Sequence, residues 1–403
     1  MKMIKSMYSK GSLVAKTGNE IMAEALRQIE PDVVAAYPIT PATEIVQIFS
    51  QFVADGVVKS EYVAVESEHS AMSATIAASA AGARAATSTS SQGLCLMWEM
   101  LYIASGLRLP IVMAEVNRAI SAPININADH SDTMGARDTG WIQIYSEDSQ
   151  EAYDNMIQAT KIAEKAKLPT LVAMDGFITS HCMEVVEAYS DTDVKAFVGE
   201  YKPERYLLDV KNPYTLGSID LQDYYFEHRY QLAQAMRDAK SIILDVAEEF
   251  KRTFWREYGF YEKYMLDDAE VAIVVIGSTA GNVKVVVKEL REKGVKAGLL
   301  KIRVYRPFPK EQIAKDLAHV KAVAVIDRSD SCSGAFPPLY CDVVTSLYSA
   351  GILNPKILSY IYGIGGREFC GEQIIKVYET LGKVAFGLEK PSGEVEYINV
   401  RIK

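Results

Sequence analysis

The sequence predicts an α/β protein: a doubly wound, mostly parallel sheet followed by a second α/β unit. Three observations carry this reading. Short apolar runs alternate with stretches of helical periodicity from residue 17 to residue 176, the pattern of βαβ units around a parallel sheet. Glu68 follows the apolar run 62–65 and opens AMSATIAASAAGA, a stretch of small residues suited to a helix packed very close to its neighbours. The strand–helix alternation then restarts at Glu270 with EVAIVVIGSTAGN, after a long charge-laced stretch.

In order, TGNEIMAEALRQIE (17–30) has apolar residues at 21, 22, 25, 26 and 29, which is helical spacing, and Pro31 ends it. VVAAYPI follows as a short strand stopped by Pro38 and Pro41, whose fixed φ angles stiffen the loop Tyr37-Pro38-Ile39-Thr40-Pro41. Next come a helix over 43–54, a strand over 62–66, the small-residue helix over 68–81 and the strand RAATST. A helix over 95–105, the strand PIVMAEV, a loop over 117–140, the strand WIQIY, a helix over 148–166 and the strand TLVAMDG complete the first series. Residues 177–215 carry no pattern that assigns an element, and 220–264 reads as a long helical connector. The second series runs through a strand, turn and helix over 270–294, GLLKIRVYRPFP, a helix over 310–320, the strand KAVAVIDRS, GAFPPLYCDVVTSLYSA, the strand KILSYIYGIGG and a helix near 371–381. Two domains are expected, 1–255 with the connector and 256–403.

Hydrophobic residues are 49% and charged residues 24% of the 403 positions, enough for substantial cores. A net charge of −9 with no Lys/Arg-rich run argues against nucleic acid as the main partner. The amino-terminal MKMIKSMYSKGSLVAKTG lacks the apolar core of a secretory signal. The most apolar window, 94–116, is broken by Glu99, Arg108 and Glu115, so no membrane span is expected and the protein reads as cytoplasmic. Five dispersed cysteines without C-x-x-C spacing read as reduced thiols, with no iron–sulfur ligation by this chain.

Glu68 admits two readings. It decorates a helix N-terminus, where acids are favoured, or it stands at a strand's carboxyl end, where open α/β sheets bind ligands and a carboxyl can share a proton with a cofactor nitrogen. His69, one residue on, points around the helix from Glu68 and reads as supporting. Arg118 follows the strand 110–116 and either clamps a substrate carboxylate with two parallel hydrogen bonds or forms a surface ion pair. Gly277-Ser278-Thr279-Ala280-Gly281-Asn282 lacks both the P-loop lysine and the three-glycine dinucleotide spacing, so tight chain reversal is the preferred reading over a phosphate cradle. Gly363-Ile364-Gly365-Gly366 opens too late in the chain to start a nucleotide-binding unit, which leaves a nicotinamide-linked dehydrogenase unsupported. Asp129-His130-Ser131-Asp132 reads as loop structure or a subunit contact in preference to a metal site, because no second carboxylate-rich loop accompanies it.

YPITP, ESEHSAM, NRAISAPININADHSD with RDTGW, and later RPFP, DRS and GIGGRE resemble, in the right order from about residue 17 to 385, the alpha subunits of the pyruvate:ferredoxin oxidoreductase family. The resemblance implies a pyrimidine-binding-type thiamine diphosphate domain over 1–255 and a transketolase C-terminal-like domain over 256–403. It implies oxidative decarboxylation of pyruvate with coenzyme A, electrons passing to ferredoxin. Glu68 falls on the glutamate that hydrogen-bonds the cofactor's aminopyrimidine; Tyr37 and Thr40 fall beside the cofactor, and Thr40 and Arg118 on the groups that contact the substrate. Thiamine diphosphate would be shared with a partner subunit, with magnesium and the iron–sulfur clusters on partners of beta, gamma and delta type. A small, neutral Thr40 suits pyruvate better than 2-oxoglutarate or oxalate, dianions that would gain from an extra cation; 2-oxoisovalerate would differ mainly in pocket volume. A non-catalytic scaffold chain is the alternative from another class.

Overall fold

The computed structural model describes residues 11–401; the start of the amino-terminal stretch judged to lack a signal lies outside the described residues. Seven strands form the first sheet, in the order Val304–Arg306, Ile142–Tyr145, Thr170–Asp175, Val112–Asn117, Ala85–Thr89, Val33–Ala36 and Glu61–Ala64. All pairs are parallel except the first, where Val304–Arg306 runs antiparallel to Ile142–Tyr145. The chain starts at Val33–Ala36, turns outward to the edge strand Glu61–Ala64, then crosses back to Ala85–Thr89. The strand order therefore reverses between Val33–Ala36 and Ala85–Thr89, the place where doubly wound sheets open a crevice at their carboxyl ends.

The second sheet has six strands, in the order Val395–Tyr397, Lys356–Ile361, Ala322–Asp327, Val271–Ile276, Ala297–Ile302 and Tyr261–Tyr264, parallel except for the last. Strands buried on both faces read as continuous apolar runs. VAIVVI and AVAVID are such runs, and every residue of each is buried.

Helix Gly18–Ile29 follows its apolar spacing. Thr17 and Glu20 form a capping box, Ile21, Met22, Leu26 and Ile29 are buried, and Glu30 ends the helix in a left-handed conformation just before Pro31. This helix, Ser149–Ala166 and Tyr225–Phe254 cover one face of the first sheet. Helix Glu68–Ala81 starts at the Ser67 cap and ends at Gly82, with φ of 106°. Its small residues let it pack against both strands that flank the crevice. On that face the core is continuous with the second unit: Leu171, Tyr145 and Trp141 pack in one cluster with Val274, Leu300, Tyr305 and Val343.

Five stretches differ from the sequence expectation. The loop over 117–140 contains the helix Ser131–Gly135 and a 3-10 turn, Ala136–Asp138. The connector over 220–264 is a helix, Tyr225–Phe254, whose Ala239, Ile243, Val246 and Phe250 are buried against the first unit, and a strand, Tyr261–Tyr264, that edges the second sheet. GLLKIRVYRPFP divides between the two sheets at Arg303, a buried guanidinium held by Asn155 and the Gly259 carbonyl. The helix over 95–105 is two helices, Ser91–Leu96 and Trp98–Gly106. Residues 177–215, unassigned from sequence, supply the strand Met183–Ala188, paired antiparallel with Ser12–Thr17, and the helix Asp191–Val198. Among the described residues no helix is long and apolar enough to cross a membrane.

Candidate active site

The predicted site residues gather along the carboxyl edge of the first sheet. Tyr37 and Thr40 follow Val33–Ala36, one wall of the crevice, and both are exposed. The Asn19 amide fixes their loop, donating to the Pro41 carbonyl at 2.9 Å and to Glu44 at 3.1 Å. Arg118 follows Val112–Asn117 and is 6% exposed. Its Nη1 donates to the Thr40 carbonyl at 2.9 Å and its Nε to the Asn125 carbonyl at 3.1 Å. Nη2 makes no hydrogen bond among the described residues. Arg118 and Thr40 are thus brought into contact, the guanidinium spanning the mouth of the crevice.

Glu68 is the first residue of its helix and is 7% exposed. The neighbouring Glu66 is exposed and takes a hydrogen bond from the Ser70 hydroxyl, so of the two acids only Glu68 turns inward. A Cβ at Gly93 would stand 2.9 Å from Glu68 Oε1 and 2.3 Å from Thr89 Oγ1, so only glycine permits this approach of helix Ser91–Leu96. Beside it, Thr89 Oγ1 and Gln92 Nε2 are buried without hydrogen-bond partners. Buried polar atoms ordinarily find partners, so these two leave hydrogen-bonding capacity unmet. His69 lies on the surface instead, bonded to Glu99 at 2.8 Å.

The second unit presses its own carboxyl edge against the loop that carries Arg118. Asp175, the last residue of Thr170–Asp175, accepts from Arg328 at 3.0 Å, contacts His130 at 2.7 Å and receives both the backbone N–H and the hydroxyl of Ser278. Burial pushes the Asp175 carboxyl up, but the charges of Arg328 and His130 outweigh it and hold the group well below the usual carboxylate range. The Gly277–Asn282 turn is therefore a tight reversal whose helix N-terminus is already bound to an anion, the Asp175 carboxylate. Gly363–Gly366 does related work. Asn125 donates to the Gly365 carbonyl, the Gly365 N–H reaches Asp129, and a Cβ on Gly366 would fall 2.4 Å from Asn127.

Asp129 and His130 lie in the loop, but Ser131 and Asp132 open a short helix, Ser131–Gly135, where the sequence reading expected loop structure or a subunit contact. His130 and Asp132 turn into the interior toward different partners, and neither belongs to a metal-competent cluster among the described residues. Among the described residues the one acidic group with such spacing, Glu147, Glu151 and Glu262, surrounds the Lys301 ammonium at 2.5–2.9 Å. Sequence reasoning missed Asp175 and Gly93. For Asp175 the available signal was an acid closing a continuous apolar run, as in TLVAMD; Gly93 left no signal outside the small-residue stretch SQG.

A family model described as pyruvate flavodoxin/ferredoxin oxidoreductase, thiamine diphosphate-binding, matches residues 24–248, and one for pyruvate:ferredoxin oxidoreductase core domain II matches 269–374. The pyruvate synthase subunit PorA of Thermotoga maritima is 55% identical, covering 91% of this chain and 93% of that protein. The ketoisovalerate oxidoreductase subunit VorA of Pyrococcus abyssi is 42% identical, covering 96% and 97%. Among solved structures, a 2-oxoglutarate:ferredoxin oxidoreductase from Magnetococcus marinus superposes with a TM-score of 0.72 at 20% identity, over 92% of this chain and 65% of that one. A split-gene transketolase, an inactive beta4 tetramer, superposes with a TM-score of 0.54 at 11% identity, over 91% and 98%. These two share the fold, a parallel-sheet domain followed by a second α/β domain. On its match across both regions and its 55% identical relative, the chain belongs to the pyruvate flavodoxin/ferredoxin oxidoreductase family.

Proposed function

We propose that this chain is the alpha-type subunit of a coenzyme A-acetylating pyruvate:ferredoxin oxidoreductase, with Glu68, Thr40, Arg118 and Tyr37 as its share of the active site. The matched regions, 24–248 and 269–374, support a division into domains near residue 255. When bound, thiamine diphosphate supplies the nucleophile and the electron sink for losing CO₂ from a 2-oxoacid. The residues present fit that cofactor. Glu68 offers a buried carboxyl beside a glycine wall, and Thr89 and Gln92 offer unpartnered polar atoms.

The carrying observation is the Glu68 carboxyl, turned inward at the mouth of the crevice with no hydrogen bond among the described residues. There it would hold a proton against a ring nitrogen. The free Nη2 of Arg118 would take the substrate carboxylate, beside Thr40, whose backbone carbonyl already accepts from Nη1. Tyr37 and Thr40 are exposed on this chain, which supports a site closed by partner subunits of beta, gamma and delta type. Those partners would hold the diphosphate, magnesium and iron–sulfur clusters and pass electrons to ferredoxin, in the cytoplasm.

The test uses the complex co-purified through this chain, following coenzyme A-dependent reduction of a viologen dye with pyruvate, 2-oxoisovalerate, 2-oxoglutarate and oxalate. Glu68→Gln should lower turnover with pyruvate at least about a hundredfold while assembly is kept. Near-normal turnover would remove Glu68 from the chemistry. Preference for 2-oxoisovalerate, which the VorA relative allows, would keep the site and change the substrate. Inactivity of the cofactor-loaded parent with every acid would favour a scaffold chain.

A further inference from the structure

Asp132 sits where the two loops of the proposed site meet, yet it touches neither the crevice nor solvent, being 3% exposed. Its Oδ2 accepts the backbone N–H groups of Ser91 at 3.1 Å and Arg118 at 2.8 Å. Its Oδ1 accepts the Asn117 amide and the Thr133 backbone N–H, each at 2.8 Å. Four donors use the full acceptor capacity of an ionised carboxylate.

Nearby lies Glu115, 0% exposed, whose two oxygens have no hydrogen-bond partner. Two carboxyls in one low-dielectric pocket do not both ionise. Burial, followed by the charge of Asp132, pushes the Glu115 carboxyl well above its ordinary value. Burial raises the Asp132 carboxyl too, but its N–H donors oppose that rise, whereas Glu115 is raised well above its ordinary value, so Asp132 is the charged member of the pair.

What Asp132 holds is specific to the site. Ser91 has φ of 50°, a left-handed conformation that a non-glycine residue keeps only when its surroundings fix it. Its N–H is tied to Asp132 and its hydroxyl to the Ala119 carbonyl. From Ser91 the short helix carries Gly93 to Glu68, and from Arg118 the guanidinium reaches Thr40. We propose that Asp132 is a positioning residue of the 2-oxoacid site, its carboxylate setting the backbone of Arg118 and Ser91 and, through them, the guanidinium and the glycine wall of the Glu68 pocket. This rests on the site assignment made above.

The experiment is a double-mutant cycle on the assembled complex, reading KM and kcat for the 2-oxoacid with R118A, D132N and the pair. D132N keeps shape but replaces one acceptor oxygen by a donor, and KM should rise about tenfold, the worth of a hydrogen bond to a charged group. Its effect on KM runs through Arg118, so the KM of the pair should equal that of R118A alone, while its effect through Ser91 on the Glu68 pocket should lower kcat in both backgrounds. E115Q, which replaces a neutral group by a neutral group, should leave KM unchanged. If the KM effects of R118A and D132N multiply, or if E115Q raises KM as D132N does, the proposal fails. An unchanged KM in R118A would overturn the site assignment itself; a raised KM in R118A with an unchanged KM in D132N overturns only the role of Asp132. If D132N yields no complex, the cycle is run with N117A, which removes one donor and leaves the charge. A severalfold rise in KM that vanishes in the R118A background then supports the proposal, and an unchanged KM defeats it.

Discussion

Asp175 and Asp327 end parallel strands in the first and second sheet, and both are buried. Burial raises the carboxyl of each, but the outcomes diverge. At Asp175 the guanidinium of Arg328 arrives from across the domain contact and the ring of His130 from the first unit's own loop, and the group is held low. Asp327 meets the backbone N–H groups of Leu339 and Tyr340, with Asp342 and Asp330 adding like charge, and burial pushes it up to about 8. A buried strand-end acid is thus charged or neutral according to what the opposing surface supplies. The two sheet edges differ in the same sense. The second unit commits its turns to gripping residues 125–130, whereas the first leaves Thr40 and Tyr37 exposed and Glu68, Thr89 and Gln92 unpartnered.

The strongest way to break this comparison is Asp175→Ala. It leaves Arg328 buried without its counter-charge, and a loss of about 3–5 kcal/mol is expected from the urea midpoint. The folded carboxyl lies below its unfolded value, so its contribution is complete above about pH 4 and is lost as the pH falls further. The gap between parent and D175A should therefore be constant near neutrality and close in acid. A gap under about 1 kcal/mol at pH 7, the size of an exposed ion pair, would mean the clamp is no more than a surface contact.

Gly366→Ala comes next. With φ of 78° and a Cβ that would fall 2.4 Å from Asn127, it combines backbone strain with a clash, for about 1–3 kcal/mol. It also pushes on the loop whose Asn125 carbonyl holds Arg118 Nε, so KM for the 2-oxoacid should rise with it. Gly294→Ala supplies the control. Its φ is 83° but nothing lies within 4 Å, so it should cost about 1 kcal/mol and leave KM alone. Equal KM changes in the two variants would disconnect the second unit's edge from the site.

How far the sequence disclosed this architecture depends on where the information lay. Apolar runs such as VAIVVI and capped helices such as 17–30 carry their own periodicity, so the strand–helix alternation was legible, as was Glu68 opening a small-residue helix. The contact of Arg118 with Thr40 joins residues 78 positions apart, and that of Arg328 with Asp175 residues 153 apart. Local pattern does not encode such pairs. The crossing of Val304–Arg306 into the first sheet was hidden because GLLKIRVYR reads as one strand, the break being a single buried arginine. Asp132 was noticed as a metal-like residue type; its real partners are backbone N–H groups, which every residue but proline possesses and which leave no mark in a sequence.

Asp327→Asn sharpens the comparison at the smallest scale. In the folded protein this carboxyl keeps its proton until about pH 8, whereas in the unfolded chain it releases it near pH 4. Between those values the folded state holds more protons, so the group subtracts from stability as pH rises. Asparagine cannot ionise, which removes that penalty, but one of its two side-chain atoms is no longer an acceptor for Leu339 or Tyr340. The two effects oppose each other, and at pH 7 the net change should stay within about 1 kcal/mol. The discriminating quantity is the slope: stability measured from pH 5 to 8 should decline less steeply in D327N than in the parent. Buried Asp154, pushed up to about 7 by burial, keeps part of the decline in both proteins. An unchanged slope would mean that Asp327 is ionised in the fold like Asp175, and that its two backbone donors suffice without a cation.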